Sequence, residues 1–507
     1  MQKEMEKKSS QTWAIILFTI AVFMSGLDNG IISTALTTIG DSFHVSPSWG
    51  TWSVTIYTFG IAISVPIIGK LSDRYGRKKL FLVEITLFGI GSLLVALSPN
   101  FTFLLVSRFI QAIGGGGIFV IGSSHILATL PKEKQGKALG VFGGMHGLSA
   151  VIGPNLGAFI LQLTGQWQWM FLINIPIVIF LIVFGFTKIH ETKAPQTESL
   201  DMLGSIILSM GILALMYGLT NLDSTSWISS LLSENVFPYL IVGIISFLIL
   251  IKYEKSIEEK GKDPIIPYSL IQKRLFRMTL LVGLLSGGFL AGIIFIPAYV
   301  QQVLHIPVEQ AGYWLTPMAL ASGIGAGLGG VLTDRIGARK TLMIAGVVGF
   351  IGFILFPIWV NGFFTYLIAS ILAGIGLGFL LGAPLNVLVG ESAQKGQQGT
   401  ALGTLSLIRQ IGLALFPTLY AGLITGAYTK LNNTLDEMTN LPFIFADANN
   451  YGDLMEQVEK IADVSKQQEV LKMISQTLES GFSKMFITAA ILAVITFIIG
   501  AYLNKRK

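Results

Sequence analysis

The feature that most constrains this chain is a short charged segment that occurs twice, each time between two long apolar runs. Gly69-Lys70-Leu71-Ser72-Asp73-Arg74-Tyr75-Gly76-Arg77-Lys78-Lys79 returns as Gly330-Val331-Leu332-Thr333-Asp334-Arg335-Ile336-Gly337-Ala338-Arg339-Lys340. Gly, Leu, Asp, Arg, Gly and a basic pair stay in register, so the chain is an internal duplication. Each copy suits a tight turn between packed helices. Gly76 and Gly337 can take positive φ without steric cost, and Gly69 and Gly330 allow helices to approach closely. Asp73 and Asp334 can accept hydrogen bonds from an arginine such as Arg74, Arg77 or Arg335, or from a helix N-terminus. These residues read as a conformational latch. Basic residues that merely mark one side of a membrane would explain Lys78 and Lys79, but not the placed Asp and Gly.

The apolar runs are membrane spans. A 507-residue chain that is 52% hydrophobic and 12% charged has too few charges to clothe a soluble globule. Runs of about 20 residues place fourteen spans near 12–36, 48–70, 80–98, 101–130, 138–164, 168–187, 202–220, 236–254, 276–302, 310–333, 340–360, 363–390, 399–425 and 483–503. The run from Trp13 to Leu36 is too long for a signal-peptide core and is a retained first span. Basic residues collect in alternate loops, whereas the loops at 37–47, 99–100, 165–167, 221–235, 303–309 and 361–362 have no Lys or Arg. This predicts both termini on the cytoplasmic side. The formal charge of +6 lies in those loops and forms no basic face, so no nucleic-acid partner is expected. With no Cys, disulfides and thiolate metal sites are excluded.

The two motif copies lie 261 residues apart, whereas six spans with short connectors need roughly 180. The surplus fits two extra helices, at 202–220 and 236–254, read as a lipid-facing linker. A charged tether follows, with Pro264 and Pro267. The predicted organisation is a six-helix lobe over 1–200, the extra pair and tether over 201–275, and a second six-helix lobe over 276–507. The acidic stretch 427–482 is expected outside the membrane as a helical hairpin, from apolar spacing at Val458, Ile461, Leu471, Ile474 and Leu478.

Ionisable groups within a span are costly and usually face a cavity or a partner. Asp28 and Arg108 should share a level in the first lobe. Burial disfavours an ionised carboxylate and a nearby guanidinium favours it, so a pair that separates would change its proton affinity. A permanent structural ion pair is the alternative. Glu84 is expected to pair with basic residues at the membrane edge. His146 faces a cavity or is a packing histidine, and Arg409 lies at mid-depth. Tyr57, Gln111, Asn155 and Phe295 complete the candidate cavity residues. Gly325-x-Gly327-x-x-Gly330 matches a dinucleotide pattern, but inside an apolar helix with no preceding strand it is rejected.

The first loop resembles the signature G-x-L-x-D-R-x-G-R-K of the major facilitator superfamily throughout, and the second departs from it at Ala338. Leu27-Asp28 with Ala35-Leu36 is similar to the first-helix motif of the fourteen-helix drug:proton antiporter branch, with Gly30, Ser33 and Thr37 as departures. Leu104-x-x-x-Arg108-x-x-Gln111 with Gly114 resembles the fourth-helix motif, whose Arg is implicated in proton transfer. Gly153-Pro154-Asn155-Leu156-Gly157 resembles the fifth-helix antiporter motif, and Arg409-Gln410 a pair common in this branch. The resemblance implies an all-α integral membrane protein of two lobes that is no enzyme. It implies proton-coupled efflux of amphipathic drugs or toxic compounds across the cell membrane, and so a role in antibiotic resistance. Protons, small amphipathic substrates and the bilayer are the implied partners of a monomer that uses a proton gradient and neither cofactor nor metal. Without a carboxylate near Arg409, monovalent cationic, zwitterionic or neutral substrates are expected over dications. A flippase for a lipid or lipid-linked precursor is the alternative on the same scaffold. A membrane sensor or enzyme is argued against by the lack of any soluble catalytic domain.

Overall fold

A bilayer offers the backbone no water, so each crossing must satisfy its own hydrogen bonds, and helices do so within one segment. A computed structural model describes residues 2–192, 201–223, 227–439, 455, 458 and 464–505. Its fourteen helices long and apolar enough to cross a membrane are α1 (Gln11–Ile32), α2 (Trp52–Tyr75), α3 (Arg77–Ala96), α4 (Phe101–Thr129), α5 (Lys132–Thr164), α6 (Trp169–Lys188), α7 (Met202–Thr220), α8 (Phe237–Glu259), α9 (Arg274–Gln302), α10 (Gly312–Ile336), α11 (Ala338–Trp359), α12 (Phe363–Ser392), α13 (Gln398–Gly426) and α14 (Val470–Lys505). Among the described residues there is no strand.

Local sequence sets the ends of these helices. Gly76 and Gly337 have φ of 104° and 89°, which lets one residue turn α2 into α3 and α10 into α11. Asn100 accepts from the Phe103 N–H at 2.9 Å to open α4, and Asp201 accepts from the Gly204 N–H at 2.9 Å to open α7. Breaks occur at Phe295 and Ala383, just ahead of Pro297 and Pro384, where proline withholds the N–H that a continuous helix needs.

Each half of the chain has its own apolar core. In the second half Phe276, Phe289, Phe353, Tyr366, Tyr420 and Phe486 belong to one buried cluster. In the first half one cluster gathers around Phe18, Phe81 and Phe142, and another around Ile31, Val95 and Leu104. The halves meet most closely at the end that carries the repeated loops. There Gly69 abuts the Gly399 carbonyl and Gly330 abuts the Gly136 carbonyl, with no room for a side chain at either crossing. The duplication thus reappears as two equivalent crossings, α2 on α13 and α10 on α5.

The extra pair departs from the expectation of a lipid-facing linker. α8 is largely exposed along one face, with Ile244, Leu248 and Ile249 each about half exposed. α7, however, packs Leu208, Ile212 and Met216 against Phe59, Ala62 and Leu407. The tether is also tied down: Asp263 pairs with Lys70 and lies 3.8 Å from Arg74. In the predicted external segment, the helix containing α13 runs on to Thr439 and the last helix begins at Val464. The hairpin tip lies outside the described residues.

Because the chain has no Cys, a single introduced thiol reports cleanly on opening of the loop-motif end. Overpacking a crossing costs about 1–3 kcal/mol. Gly69→Leu is therefore expected to raise maleimide labelling of a buried Thr404→Cys probe by about fivefold or more, and an unchanged rate would show that this crossing does not set closure.

Candidate functional site

The two motif aspartates reach across the molecule to the opposite half. Asp73 accepts from the Gly399 N–H at 3.0 Å, the Thr400 N–H at 2.9 Å and the Thr400 hydroxyl at 3.3 Å. Those N–H groups belong to the first turn of α13, where no helical carbonyl is available to receive them. Asp334 accepts from the Gly136 and Lys137 N–H groups of α5, each at 2.7 Å. Asp73 therefore holds backbone at a helix beginning, where negative charge is favoured, and Asp334 holds the second turn of α5.

The copies differ where their sequences differ. Arg77 pairs with Asp73 at 2.9 Å, donates from Nε to the Ser124 hydroxyl at 2.9 Å and reaches Gln398 at 3.5 Å. Its counterpart is Ala338, so Asp334 has no arginine in that place. Arg74 lies near Asp263, whereas Arg335 is exposed and joins no ion pair among the described residues. That corrects the assignment of Arg335 to the latch. In the second copy Arg339 instead pairs with Glu391 at 2.9 Å.

Asp28 and Arg108 meet at 2.6 Å, both fully buried. Five helices, α1, α2, α3, α4 and α6, build this cluster. Gln111 donates to Asp28 at 2.8 Å and to Ser92 at 2.8 Å, and Asn174 donates to Asp28 at 3.2 Å. Arg108 also donates to Gln111 at 2.6 Å and to the Ser53 carbonyl at 3.3 Å, with its guanidinium 4.1 Å from the centre of the Tyr57 ring. Such bonding is what a charge removed from water requires, since an unpaired buried ion costs several kcal/mol. α5 packs directly on this region. A methyl at Gly153 would lie 2.8 Å from the Gly30 α-carbon and 3.0 Å from the Leu27 carbonyl, and one at Gly30 would meet Pro154. The Gly at position 30 thus makes room for the α5 proline.

A cavity of about 610 Å³ lies between the halves. Its wall runs from Val65, Ser406 and Leu381 near mid-depth to Val54, Ile294 and Thr418 toward the end opposite the loop motifs. His146 and Arg409 line it, as do Gln410, Asn29 and Ser25, together with Phe59 and Phe119. Met216 and Thr220 of α7 also line it, so one of the extra helices forms part of the wall.

Four expected cavity residues lie elsewhere. Tyr57 is sealed behind the wall over Arg108, because the cation draws the electron-rich ring face to itself. Gln111 is consumed by the Asp28 cluster. Asn155 is exposed on α5 and Phe295 packs edge-on against Tyr420, 6.2 Å between centroids. Among the described residues Glu84 pairs with no basic side chain; its Oε2 accepts from the Gly117 N–H at 3.0 Å, at the break within α4. Sequence reasoning missed Asn174 and Ser92, although a lone Asn in the apolar 168–187 run was a usable signal. It also missed Gly399, Gly136 and Lys137, whose contribution is backbone N–H and leaves no residue-type signature, and Thr400, which adds its hydroxyl to the same kind of backbone bond.

A family profile described as "Major Facilitator Superfamily" matches residues 18–417. The chain is 55% identical to the "Uncharacterized MFS-type transporter YfiU" of Bacillus subtilis strain 168, over 98% of this chain and 97% of that protein. It is 30% identical to "Multidrug resistance protein 3" of the same organism, over 99% of this chain and 96% of that one. Among solved structures, the human organic anion transporter MFSD10 superposes with a TM-score of 0.60 at 15% identity, covering 95% of this chain and 99% of that chain, a likeness of fold alone.

The asymmetry between the two clamps generates an ordered outcome. Asp73→Asn weakens charge-assisted bonds to two backbone N–H groups and to Arg77, each worth about 1.5–3 kcal/mol, whereas Asp334→Asn weakens only the two backbone bonds. Thiol labelling at the loop-motif end is expected to rise in both variants and further in Asp73→Asn; equal effects, or the reverse order, would discount Arg77 as part of the clamp.

Proposed function

This chain belongs to the major facilitator superfamily and is a multi-pass membrane transporter rather than an enzyme, and within that family we propose that it exports amphipathic compounds across the cell membrane in exchange for protons. The loop-motif end faces the cytoplasm in this reading, by the distribution of Lys and Arg. A structure clamped at that end, with its cavity extending toward the other, then corresponds to the outward-facing state of a rocking two-lobe cycle.

The observation that carries the reading is the position of Asp28. Its carboxylate is buried with Arg108 immediately behind the cavity wall. Ser25 and Asn29, on the same helix, face the cavity. A methyl at Gly115, another wall residue, would lie 3.0 Å from the Tyr57 hydroxyl. Tyr57 therefore stands between the cavity and the ion pair. A proton arriving from outside would neutralise Asp28 and release Arg108 from it.

α5 connects that event to the clamps. One stretch of α5 is held by Asp334 through Gly136 and Lys137, and Gly153 and Gly157 of the same helix abut α1 around Asp28. Movement of α5 against α1 is thus tied to release of the second clamp. The membrane potential alone supplies about 2.3 kcal/mol per inward proton per 100 mV. A monomer suffices for this cycle, with no cofactor beyond the gradient.

Asp28→Asn is expected to cut pH-driven efflux from everted vesicles at least tenfold, with an unchanged gel-filtration profile in detergent, while Asp28→Glu retains measurable transport. Proton-dependent efflux at the parental rate in Asp28→Asn would remove Asp28 from coupling.

A further inference from the structure

We propose that the central cavity selects amphipathic anions, with Arg409 as the group that binds the acidic end of the substrate. The inference deepens the efflux reading and rests on it for the direction of transport, but not for the charge preference.

The lining supplies the argument. Among its described residues Arg409 is the one permanent charge, and no Asp or Glu is present. Two buried carboxylates of the first half are engaged elsewhere. Asp28 is bonded to Arg108, Gln111 and Asn174, and Glu84 accepts from the Gly117 N–H. Arg409 enters none of the ion pairs among the described residues. Its Nε is fixed by donating to the Ser286 hydroxyl at 3.2 Å, and its Nη2 is buried with no hydrogen-bond partner.

A guanidinium held by one edge presents its remaining N–H donors in a fixed fork, which matches the paired oxygens of a carboxylate or sulfonate. A buried donor without a partner is costly, so a ligand acceptor gains from supplying one. A cationic substrate would meet the opposite situation: an uncompensated positive charge and no carboxylate to receive it. Of the monovalent cationic, zwitterionic or neutral substrates expected from the sequence, the cations are therefore disfavoured. The rest of the wall fits the other half of such a molecule, since Phe59, Phe119, Ile293 and Leu413 offer apolar surface. His146 and Gln410 add donors within the same lining that an anion can use.

The test compares two dyes of one xanthene framework and opposite charge, fluorescein and rhodamine 6G. Anisotropy titrations on the purified full chain in detergent are paired with uptake into everted vesicles under an imposed pH gradient. The parental protein is expected to bind fluorescein about tenfold more tightly than rhodamine 6G. Arg409→Gln should lose that advantage, and Arg409→Lys should retain part of it. Gln410→Glu, which places a carboxylate beside Arg409, should weaken fluorescein and strengthen rhodamine 6G, and it tests the inference even where Arg409→Gln fails to fold. Tighter binding of rhodamine 6G by the parental protein, or undiminished fluorescein binding in both Arg409→Gln and Gln410→Glu, would overturn the proposal. Fluorescein that binds through Arg409 but is not moved would uphold the charge preference and remove the efflux reading. Rhodamine 6G moved while fluorescein is neither bound nor moved would do the reverse.

Discussion

At one end of this transporter two carboxylates receive backbone N–H groups from the opposite half and join the halves there. Asp73 holds the first turn of α13 and Asp334 holds α5 near its start. The choice of backbone as partner has a physical consequence. Backbone N–H groups in the opening turns of a helix cannot move without the helix, so a bond to them grips a whole element rather than one flexible side chain. Beside each clamp the chains touch through glycine, at Gly69 with Gly399 and at Gly330 with Gly136. Contacts this close either form completely or open, because a small separation forfeits both the bonds and the packing.

The interior of the first half faces the converse demand, to keep charge inside without water. Asp28 and Arg108 meet it with donors to Asp28 from two further side chains, Gln111 and Asn174, which also donate to the Ser92 hydroxyl oxygen. Glu84 is served only in part: its Oε2 accepts the N–H left over where α4 breaks at Gly117, and its Oε1 is buried with no hydrogen-bond partner among the described residues. The second half has no such cluster among its described residues. Its intramembrane cation, Arg409, faces the cavity with a single side-chain bond, to Ser286. The two halves therefore divide the work: one buries a compensated charge pair, and the other displays an uncompensated charge.

The extra helices show how a linker becomes part of a site. α8 presents apolar residues outward, but α7 lies against α2 and α13, the pair closed by Asp73, and reaches the cavity with Met216 and Thr220. Asp263 on the tether joins Lys70 of the first motif. Any rotation of α2 against α13 must therefore be accommodated by α7 and the tether.

The sequence by itself determined the number of spans, the duplication and the turns. Each of these follows from local facts: about 20 apolar residues span a bilayer, and only glycine readily takes the φ found at Gly76 and Gly337. It also placed Asp28 level with Arg108, because helical rise converts residue number into depth. The tertiary structure alone decided which way side chains point about each helix axis. Tyr57 and Gln111 turn toward Arg108 and leave the cavity to Ser25, Asn29 and His146, and Phe295 turns to Tyr420. Rotation about a helix axis is set by packing against neighbours, and where a helix is apolar all round the pattern of residues carries no such signal. The clamp partners were equally hidden, since a backbone N–H is the same in every residue but proline, and only the meeting of distant helices shows which ones are left to be held.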